Sequence, residues 1–312
     1  MNEEREAVIE IDNLTKHYGD VVGVQNLSLK VHRGEIMGFL GPNGAGKTTT
    51  LRSCLDLLSI TAGEVRIFGM DSHQQAVAIR QRTGYLPGDF GLLPGITTES
   101  YLRHLLALSN CRHANKMHSL AERLDLDLSR KTNELSKGNR QKVGIIQALM
   151  ADQELVILDE PTAGLDPLMQ QEVYRILREE NQRGSTIFMS SHILAEVEEV
   201  CHRVAIIRKG HLEVVEDIAA LQEKTGKVLE VEFREEVDLE ELDLPGVSDL
   251  RREDGKIMLT VHENLDRVIK AVSSHKVLNM QLSTYSLEQL FLKYYGNQRE
   301  KNAAETPESE QP

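Results

Sequence analysis

A short run of glycines ending in lysine and threonine, GPNGAGKT, constrains this chain more than any other segment. It spans residues 41–48, follows the apolar run EIMGFL at 35–40 and leads into a helical pattern. It matches G-x-x-x-x-G-K-[ST], in which glycines let the backbone curl so that its amides point inward at the start of a helix. Because such a nest of amides holds phosphate groups, the sequence predicts a strand, a phosphate-binding loop and a helix, in that order.

The residue types of this loop suit the β- and γ-phosphates of a nucleoside triphosphate. We expect Lys47 to place its ammonium between those phosphates and the Thr48 hydroxyl to bind Mg²⁺. The predicted nucleotide-binding residues of the loop are Gly41, Pro42, Asn43, Gly44, Ala45, Gly46, Lys47, Thr48 and Thr49.

A pair of carboxylates follows the apolar segment LVIL later in the chain. A buried strand there delivers Asp159 and Glu160 to the carboxyl edge of a sheet, where doubly wound folds bind ligands. We expect Asp159 to hold Mg²⁺ through water and Glu160 to polarise the attacking water. The alternative is a solvated acidic pair that caps a helix predicted at 168–182. The phosphate-binding loop at 41–48 makes the catalytic interpretation the stronger one.

Short, nearly continuous apolar runs recur between helical patterns through the first two thirds of the chain. Such runs are typical of strands that helices bury on both faces, which predicts an α/β fold with a doubly wound, mostly parallel sheet. Alternating residues near the N-terminus predict an antiparallel β subdomain. Residues 88–150 are predicted to form an inserted helical subdomain. The apolar runs lie at 35–40, 154–158, 185–190 and 204–208.

The chain of 312 residues is long enough for two domains. We expect a nucleotide-binding domain over 1–225, a small α/β accessory domain over 226–297 and a disordered acidic tail over 298–312. The accessory domain begins with the alternating run KVLEVEF. Four apolar residues near its end are spaced for a helix and are expected to pack its core rather than bind a partner: Leu287, Leu290, Phe291 and Tyr294.

Charge and composition exclude several kinds of partner and site. The formal net charge is −13, which disfavours nucleic acid, since phosphate affinity comes from clustered Lys and Arg. No apolar run approaches the roughly 18 residues needed to span a bilayer, so a membrane role requires another chain. The three cysteines, Cys54, Cys111 and Cys201, form no Cys-x-x-Cys pair. We expect inert thiols in a reducing cytoplasm.

Taken together, the motifs resemble those of the ATPase subunits of ATP-binding cassette (ABC) transporters, over about residues 6–220. The family's L-S-G-G-Q element corresponds to LSKGN at 135–139, its D-loop to PTAGLDP at 161–167 and its H-loop to SSHILAEVEEV at 190–200. The resemblance implies a P-loop NTPase fold with ATP and Mg²⁺ as cofactors. It implies further ATP-binding residues, Tyr18, Ser136, Gly138 and Asp166, of which Tyr18 stacks on adenine, and the catalytic residues Lys47, Glu160 and His192.

One motif departs from the family pattern. Where the family commonly has Gln in Y-L-P-Q, this chain has Gly88, followed by Asp89. In the family that amide touches Mg²⁺ and the attacking water, and glycine has no side chain to do so. The hypothesis is that Asp89, or the loop backbone through water, supplies the contact.

The resemblance also implies partners. Two ATPase subunits pair head to tail, so that LSKGN of one closes on ATP held by GPNGAGKT of the other, and a second copy of this chain is the favoured subunit. A membrane-spanning permease subunit is expected to dock near 88–110, at the cytoplasmic face of the cell membrane. The ending STYSLEQLFLKYYG resembles the accessory domain of drug and small-molecule exporters, which favours export.

The alternative function is a soluble ABC-type ATPase that acts in translation or DNA repair. Such proteins usually carry tandem cassettes, a coiled-coil arm or basic linkers. This chain has one cassette and an excess of acidic residues. The sequence therefore favours the transporter subunit.

Overall fold

The computed structural model describes residues 6–109, 115–220 and 226–284. The chain divides into two compact units between Glu216 and Asp217. No helix within the described ranges is long and apolar enough to cross a membrane. The predicted domain limits at 225 and 297 stay predictions.

The strands of the first unit belong to two sheets. One tight turn, at Gly19 and Asp20, joins the first two strands where the sequence pattern breaks. In chain order the strands are β1 (Ala7–Tyr18), β2 (Val21–His32), β3 (Ile36–Leu40), β4 (Ala62–Ile67), β5 (Met70–Asp71), β6 (Thr83–Leu86), β7 (Leu155–Asp159), β8 (Thr186–Ser191), β9 (Arg203–Arg208) and β10 (His211–Asp217).

Helices connect these strands and close the sheet on both sides. Three of these helices are capped by a side chain: Thr97, Ser136 and Asp166 each accept a hydrogen bond from a backbone N–H of the first turn. The described helices of this unit are α1 (Lys47–Cys54), α2 (Ala76–Gln81), α3 (Thr98–Leu108), α4 (Asn115–Arg123), α5 (Lys137–Leu149), α6 (Pro167–Gln182) and α7 (Leu194–Val200).

The larger sheet has the order β10-β9-β3-β8-β7-β6. The pairs β3–β8, β3–β9, β7–β8 and β6–β7 are parallel. Every residue of β3 and β7 is buried. Met37 and Phe39 face α1 and the antiparallel sheet in one core, whereas Val197 of α7 packs on Gly38 from the other face. The predicted doubly wound, mostly parallel sheet is confirmed.

The smaller sheet and the helical insertion also match the prediction. Strands β2-β1-β4-β5 form an antiparallel sheet. Helices α3, α4 and α5 lie between β6 and β7 in the chain and form the inserted helical subdomain. Since β3 and β7 are parallel and separated only by β8, their carboxyl ends open on the same edge of the sheet.

The second unit has its own sheet and its own core. Its elements are β11 (Lys227–Phe233), β12 (Val247–Glu253), β13 (Lys256–Val261), α8 (Leu265–Ser273) and β14 (Val277–Thr284), in the antiparallel order β12-β13-β11-β14. Leu229 and Val231 pack with Val268 and Val272 of α8. The predicted small α/β domain is confirmed. The helix predicted around 287–294, the tail 298–312 and Cys111 lie outside the described residues.

Candidate active site

The phosphate-binding loop joins β3 to α1 at the carboxyl edge of the parallel sheet. Gly46 has a φ of 111°, and a Cβ there would lie 2.6 Å from the carbonyl oxygen of Gly23. Glycine is therefore required at this position on two grounds, backbone conformation and space. A cleft of about 310 Å³ lies beside the loop, lined by Tyr18, Glu160 and six of the nine predicted loop residues: Asn43, Gly44, Gly46, Lys47, Thr48 and Thr49. Gly41, Pro42 and Ala45 are not among its lining residues.

Lys47, the first residue of α1, points its ammonium back into the loop. Its side chain is 5% exposed, and Nζ donates to the carbonyl oxygens of Gly41 at 2.7 Å and Pro42 at 3.2 Å. The carboxylate oxygen Oε1 of Glu160 lies 3.4 Å from the same Nζ. A buried cation held beside loop amides favours an anionic ligand in the cleft.

Asp159, the last residue of β7, is 1% exposed and lies against the loop. Its Oδ2 accepts a hydrogen bond from Thr48 Oγ1 at 2.7 Å, and its Oδ1 accepts one from Ser190 Oγ at 2.6 Å. A carboxylate and a hydroxyl are hard oxygen donors, which suit Mg²⁺. No cluster of three His, Cys, Asp or Glu side chains in the described ranges could hold a metal. The residues present therefore fit a Mg²⁺ whose remaining ligands come from phosphate and water.

Glu160 has a strained backbone and a carboxylate shared between two nitrogens. Its φ is 51°, a left-handed conformation that is unusual for a glutamate. Its N–H donates to Ser190 Oγ at 3.0 Å. Its Oε1 lies 3.2 Å from Nδ1 of His192 and 3.4 Å from Nζ of Lys47. The structure thus brings the three predicted catalytic residues together.

Gln141, on α5, holds the backbone of this glutamate and was missed by the sequence analysis. Its Nε2 donates to the carbonyl oxygens of Glu160 at 3.0 Å and Pro161 at 2.9 Å, and the residue is 8% exposed. The sequence offered one signal of this role, which is that Gln141 is a polar residue on the buried face of the helix RQKVGIIQALM. A buried amide needs partners, and a pattern along the chain does not identify them.

A buried carboxylate on α7 joins the end of β8 to the loop that follows β7. Glu196 accepts hydrogen bonds from Thr162 Oγ1 at 2.5 Å and from Ser191 Oγ at 2.6 Å. Ser191 immediately precedes His192, and Thr162 follows Glu160 by two residues. Tyr174 interacts with the same carboxylate, and burial, together with the charge of Glu196, raises the pKa of the Tyr174 hydroxyl. Glu196 therefore fixes the segments that carry the base and the histidine.

Tyr18 lies at the mouth of the cleft, at the end of β1. About half of its side chain is exposed, and its Oη lies 3.3 Å from Thr49 Oγ1. The ammonium of Lys16 lies 5.2 Å from the centre of the tyrosine ring. An exposed ring above a phosphate-binding loop provides a surface on which a base can stack.

The remaining predicted nucleotide contacts lie outside this cleft. Ser136 caps α5 and accepts a hydrogen bond from Asn139 N at 3.2 Å. Asp166 caps α6 and accepts from Leu168 N and Met169 N, both at 3.0 Å. Gly138 lies beside the carbonyl of Gly164. These three predicted residues are not among the described residues that line the cleft.

Gly88, at the position where the motif departs from the family pattern, lies next to Asp159. A Cβ at this position would lie 2.9 Å from Oδ2 of Asp159. The loop backbone therefore approaches the buried carboxylate closely. The neighbouring Asp89 is exposed, and its predicted role in Mg²⁺ binding stays a hypothesis.

Comparison with known proteins agrees with this arrangement of motifs. The protein-family model for the ABC transporter matches residues 24–163. The chain is 37% identical over 210 residues to the Nod factor export ATP-binding protein I of Paraburkholderia xenovorans, covering 66% of this chain and 69% of that protein. It is 36% identical over 235 residues to the bacitracin transport ATP-binding protein BcrA of Bacillus licheniformis, covering 73% and 76%.

Solved structures show the same fold. An ATP-binding subunit of an ABC transporter superposes with a TM-score of 0.64 and 28% identity, over 70% of this chain and 92% of that one. The dimeric bacterial cassette MJ0796 superposes with a TM-score of 0.62 at 24% identity, over 67% and 98%. The chain belongs to the ABC transporter family, as an ATP-binding subunit with ATPase activity.

Proposed function

We propose that this chain hydrolyses ATP with Glu160 as general base and Mg²⁺ as cofactor, and that it thereby energises export through a separate membrane-spanning permease. The observation that carries the catalytic part is the position of the Glu160 carboxylate, 3.4 Å from Lys47 Nζ and 3.2 Å from His192 Nδ1. About a quarter of the Glu160 side chain is exposed, so water can reach it. A carboxylate that lies between two nitrogens, beside a phosphate-binding loop, suits the activation of water for attack on a terminal phosphate.

Each group of residues at the site has a separate role in the proposed reaction. The loop amides and Lys47 bind the β- and γ-phosphates and stabilise the charge that develops on them. Glu160 accepts the proton of the attacking water, and His192 orients the carboxylate and the terminal phosphate. When bound through Thr48 and Asp159, Mg²⁺ supplies neutralising charge to the phosphate oxygens.

The single-chain site supports a pairing of two subunits. Ser136 and Gly138 offer a hydroxyl and backbone amides at the start of α5, a suitable position for a phosphate. They lie outside the described lining of the chain's own cleft. A second copy placed head to tail supplies them to that cleft. ATP then contacts both subunits through its terminal phosphate, and hydrolysis weakens the pair.

An apolar groove supports a membrane-spanning partner. Val77 of α2 and Leu108 of α3 are 66% and 83% exposed, and they line a groove of about 410 Å³ with Leu105 and Met150. Large exposed apolar side chains around one groove are typical of an interaction surface. We assign this groove to the permease and propose that the chain acts at the cytoplasmic face of the cell membrane.

Export of drugs or small molecules is favoured by the names of two relatives. One relative is named for Nod factor export and the other for bacitracin transport. Neither name fixes the molecule that this chain's partner moves. The alternative, a soluble ABC-type ATPase without a transport role, has no corresponding support among these relatives.

Two measurements test the proposal. The purified chain should hydrolyse ATP only with Mg²⁺, and Glu160→Gln should lower kcat by about 10²–10⁴. The tagged chain, extracted from its native membranes with detergent, should co-purify with a polytopic membrane protein. Undiminished hydrolysis by Glu160→Gln would overturn the assignment of the base. Recovery of the chain without any membrane protein would favour the soluble alternative.

A further inference from the structure

We propose that Gln141 is a positioning residue that holds the backbone of Glu160 in its left-handed conformation and ties the general base to the helix that begins at Ser136. The inference rests on the proposed role of Glu160. It adds a residue outside the phosphate-binding loop and the two carboxylates.

The geometry around Glu160 carries the proposal. A φ of 51° is costly for a glutamate, so surrounding contacts must hold it there. On one side, the Glu160 N–H donates to Ser190 Oγ at 3.0 Å. On the other side, Gln141 Nε2 donates to the carbonyl oxygens of Glu160 at 3.0 Å and Pro161 at 2.9 Å. The peptide units on both sides of Glu160 are thereby fixed, and its carboxylate is aimed at Lys47 and His192.

The chemistry of Gln141 suits this task. Its amide is almost completely buried and gives two hydrogen bonds to consecutive carbonyls, which restrain rotation of the peptide between them. A side chain that only filled space here would be apolar, since burying an amide costs free energy.

The position of Gln141 on α5 gives the contact a second consequence. Ser136 caps this helix five residues earlier, and the proposed function places it on the ATP of the partner copy. Gln141 then links two nucleotide sites. The start of α5 contacts the ATP of the partner copy, and Glu160 acts on the ATP bound to its own chain.

The test is Gln141→Met, which keeps the length of the side chain and removes both donors. We expect kcat for ATP hydrolysis to fall roughly 10- to 100-fold, because a small misplacement of a catalytic group costs about that much. The KM for ATP and the affinity for a fluorescent ATP analogue should stay unchanged. Gln141→Leu repeats the test with a second side chain.

Asn181→Leu is the matched control. Asn181 Nδ2 also donates to two backbone carbonyls, those of Gly34 and Ser185, both at 2.9 Å and away from the site. Both Gln141→Met and Asn181→Leu should lower Tm. Only Gln141→Met should lower kcat. Equal kcat in the two variants would contradict the proposal.

A double variant separates positioning from a general structural effect. If Gln141 acts through Glu160, adding Gln141→Met to Glu160→Gln should slow single-turnover hydrolysis less than twofold further. If the rate losses of Gln141→Met and Glu160→Gln multiply in the double variant, the inference is overturned. Wild-type rates in Glu160→Gln alone would overturn the proposed function instead, so the two failures are distinguishable.

Discussion

Oγ1 of Thr48 lies 2.7 Å from Oδ2 of Asp159, although the two residues are 111 positions apart in the chain. The contact joins the start of α1 to the end of β7. It places the two proposed Mg²⁺-binding oxygens at one point on the carboxyl edge of the sheet. Ser190 holds the other oxygen of the same carboxylate at 2.6 Å.

Asp159→Asn should weaken the use of Mg²⁺. The substitution keeps the shape of the side chain and removes its charge, so we expect the Mg²⁺ concentration for half-maximal ATPase rate to rise about 10- to 100-fold. Titration of the ATPase rate with Mg²⁺ measures this. Thr48→Ser, which keeps the hydroxyl, should stay close to the wild type. An unchanged Mg²⁺ titration in Asp159→Asn would remove Asp159 from the metal site.

Gly88→Ala should impair the site through a single methyl group. The new Cβ would lie 2.9 Å from Oδ2 of Asp159, and overpacking of this kind costs about 1–3 kcal/mol. Displacement of the Asp159 carboxylate should lower kcat/KM roughly tenfold, since a misplacement of about 1 Å at a site can cost up to about 10²-fold. Gly91→Ala, in the same loop, is the control, since its Cβ would meet no atom within 4 Å. Equal activity in both variants would show that the close approach at Gly88 has no role.

Asp89→Ala tests the hypothesis that this carboxylate replaces the missing amide. Loss of a charged Mg²⁺ contact, direct or through water, should raise the Mg²⁺ requirement and lower the ATPase rate. The same Mg²⁺ titration measures both. If rate and Mg²⁺ dependence stay unchanged, Asp89 has no part in the site.

The buried thiols should resist alkylation in the folded protein. Burial raises the pKa of Cys54 to about 12, and burial, with the nearby Glu196 carboxylate, also raises the pKa of Cys201. A raised pKa leaves a thiol protonated at pH 8, and alkylation requires the thiolate. Iodoacetamide at pH 8 should therefore modify both residues only after denaturant is added, as measured by peptide mass spectrometry. Rapid modification of Cys54 in native buffer would contradict its burial.

The sequence predicted the parts of the site that are local in the chain. The glycines, Lys47 and Thr48 belong to one continuous motif, and Asp159 and Glu160 end one apolar strand. Short, nearly continuous apolar runs predicted β3, β7, β8 and β9 to within one residue at each end, because such runs are typical of strands buried on both faces.

The parts that escaped prediction depend on contacts between distant residues. Gln141 reaches a carbonyl 19 residues away, and Glu196 meets a hydroxyl 34 residues away. Such pairs follow from tertiary packing and leave no periodic pattern. The strands β4, β5, β6, β12 and β14 were also missed, of which β5 and β6 are only two and four residues long. The left-handed backbone of Glu160 had no sequence signature, since glycine is the residue expected there.

The central claim is that ATP holds two copies of this chain together until Glu160 promotes hydrolysis. The most direct test is the molar mass of Glu160→Gln, measured by light scattering after size-exclusion chromatography with ATP and Mg²⁺. We predict twice the mass of the monomer with ATP, the monomer mass with ADP, and no ATP-dependent change in Lys47→Ala, which should not bind the nucleotide. A monomer in every condition, or equal loss of nucleotide affinity in both variants, would contradict the account.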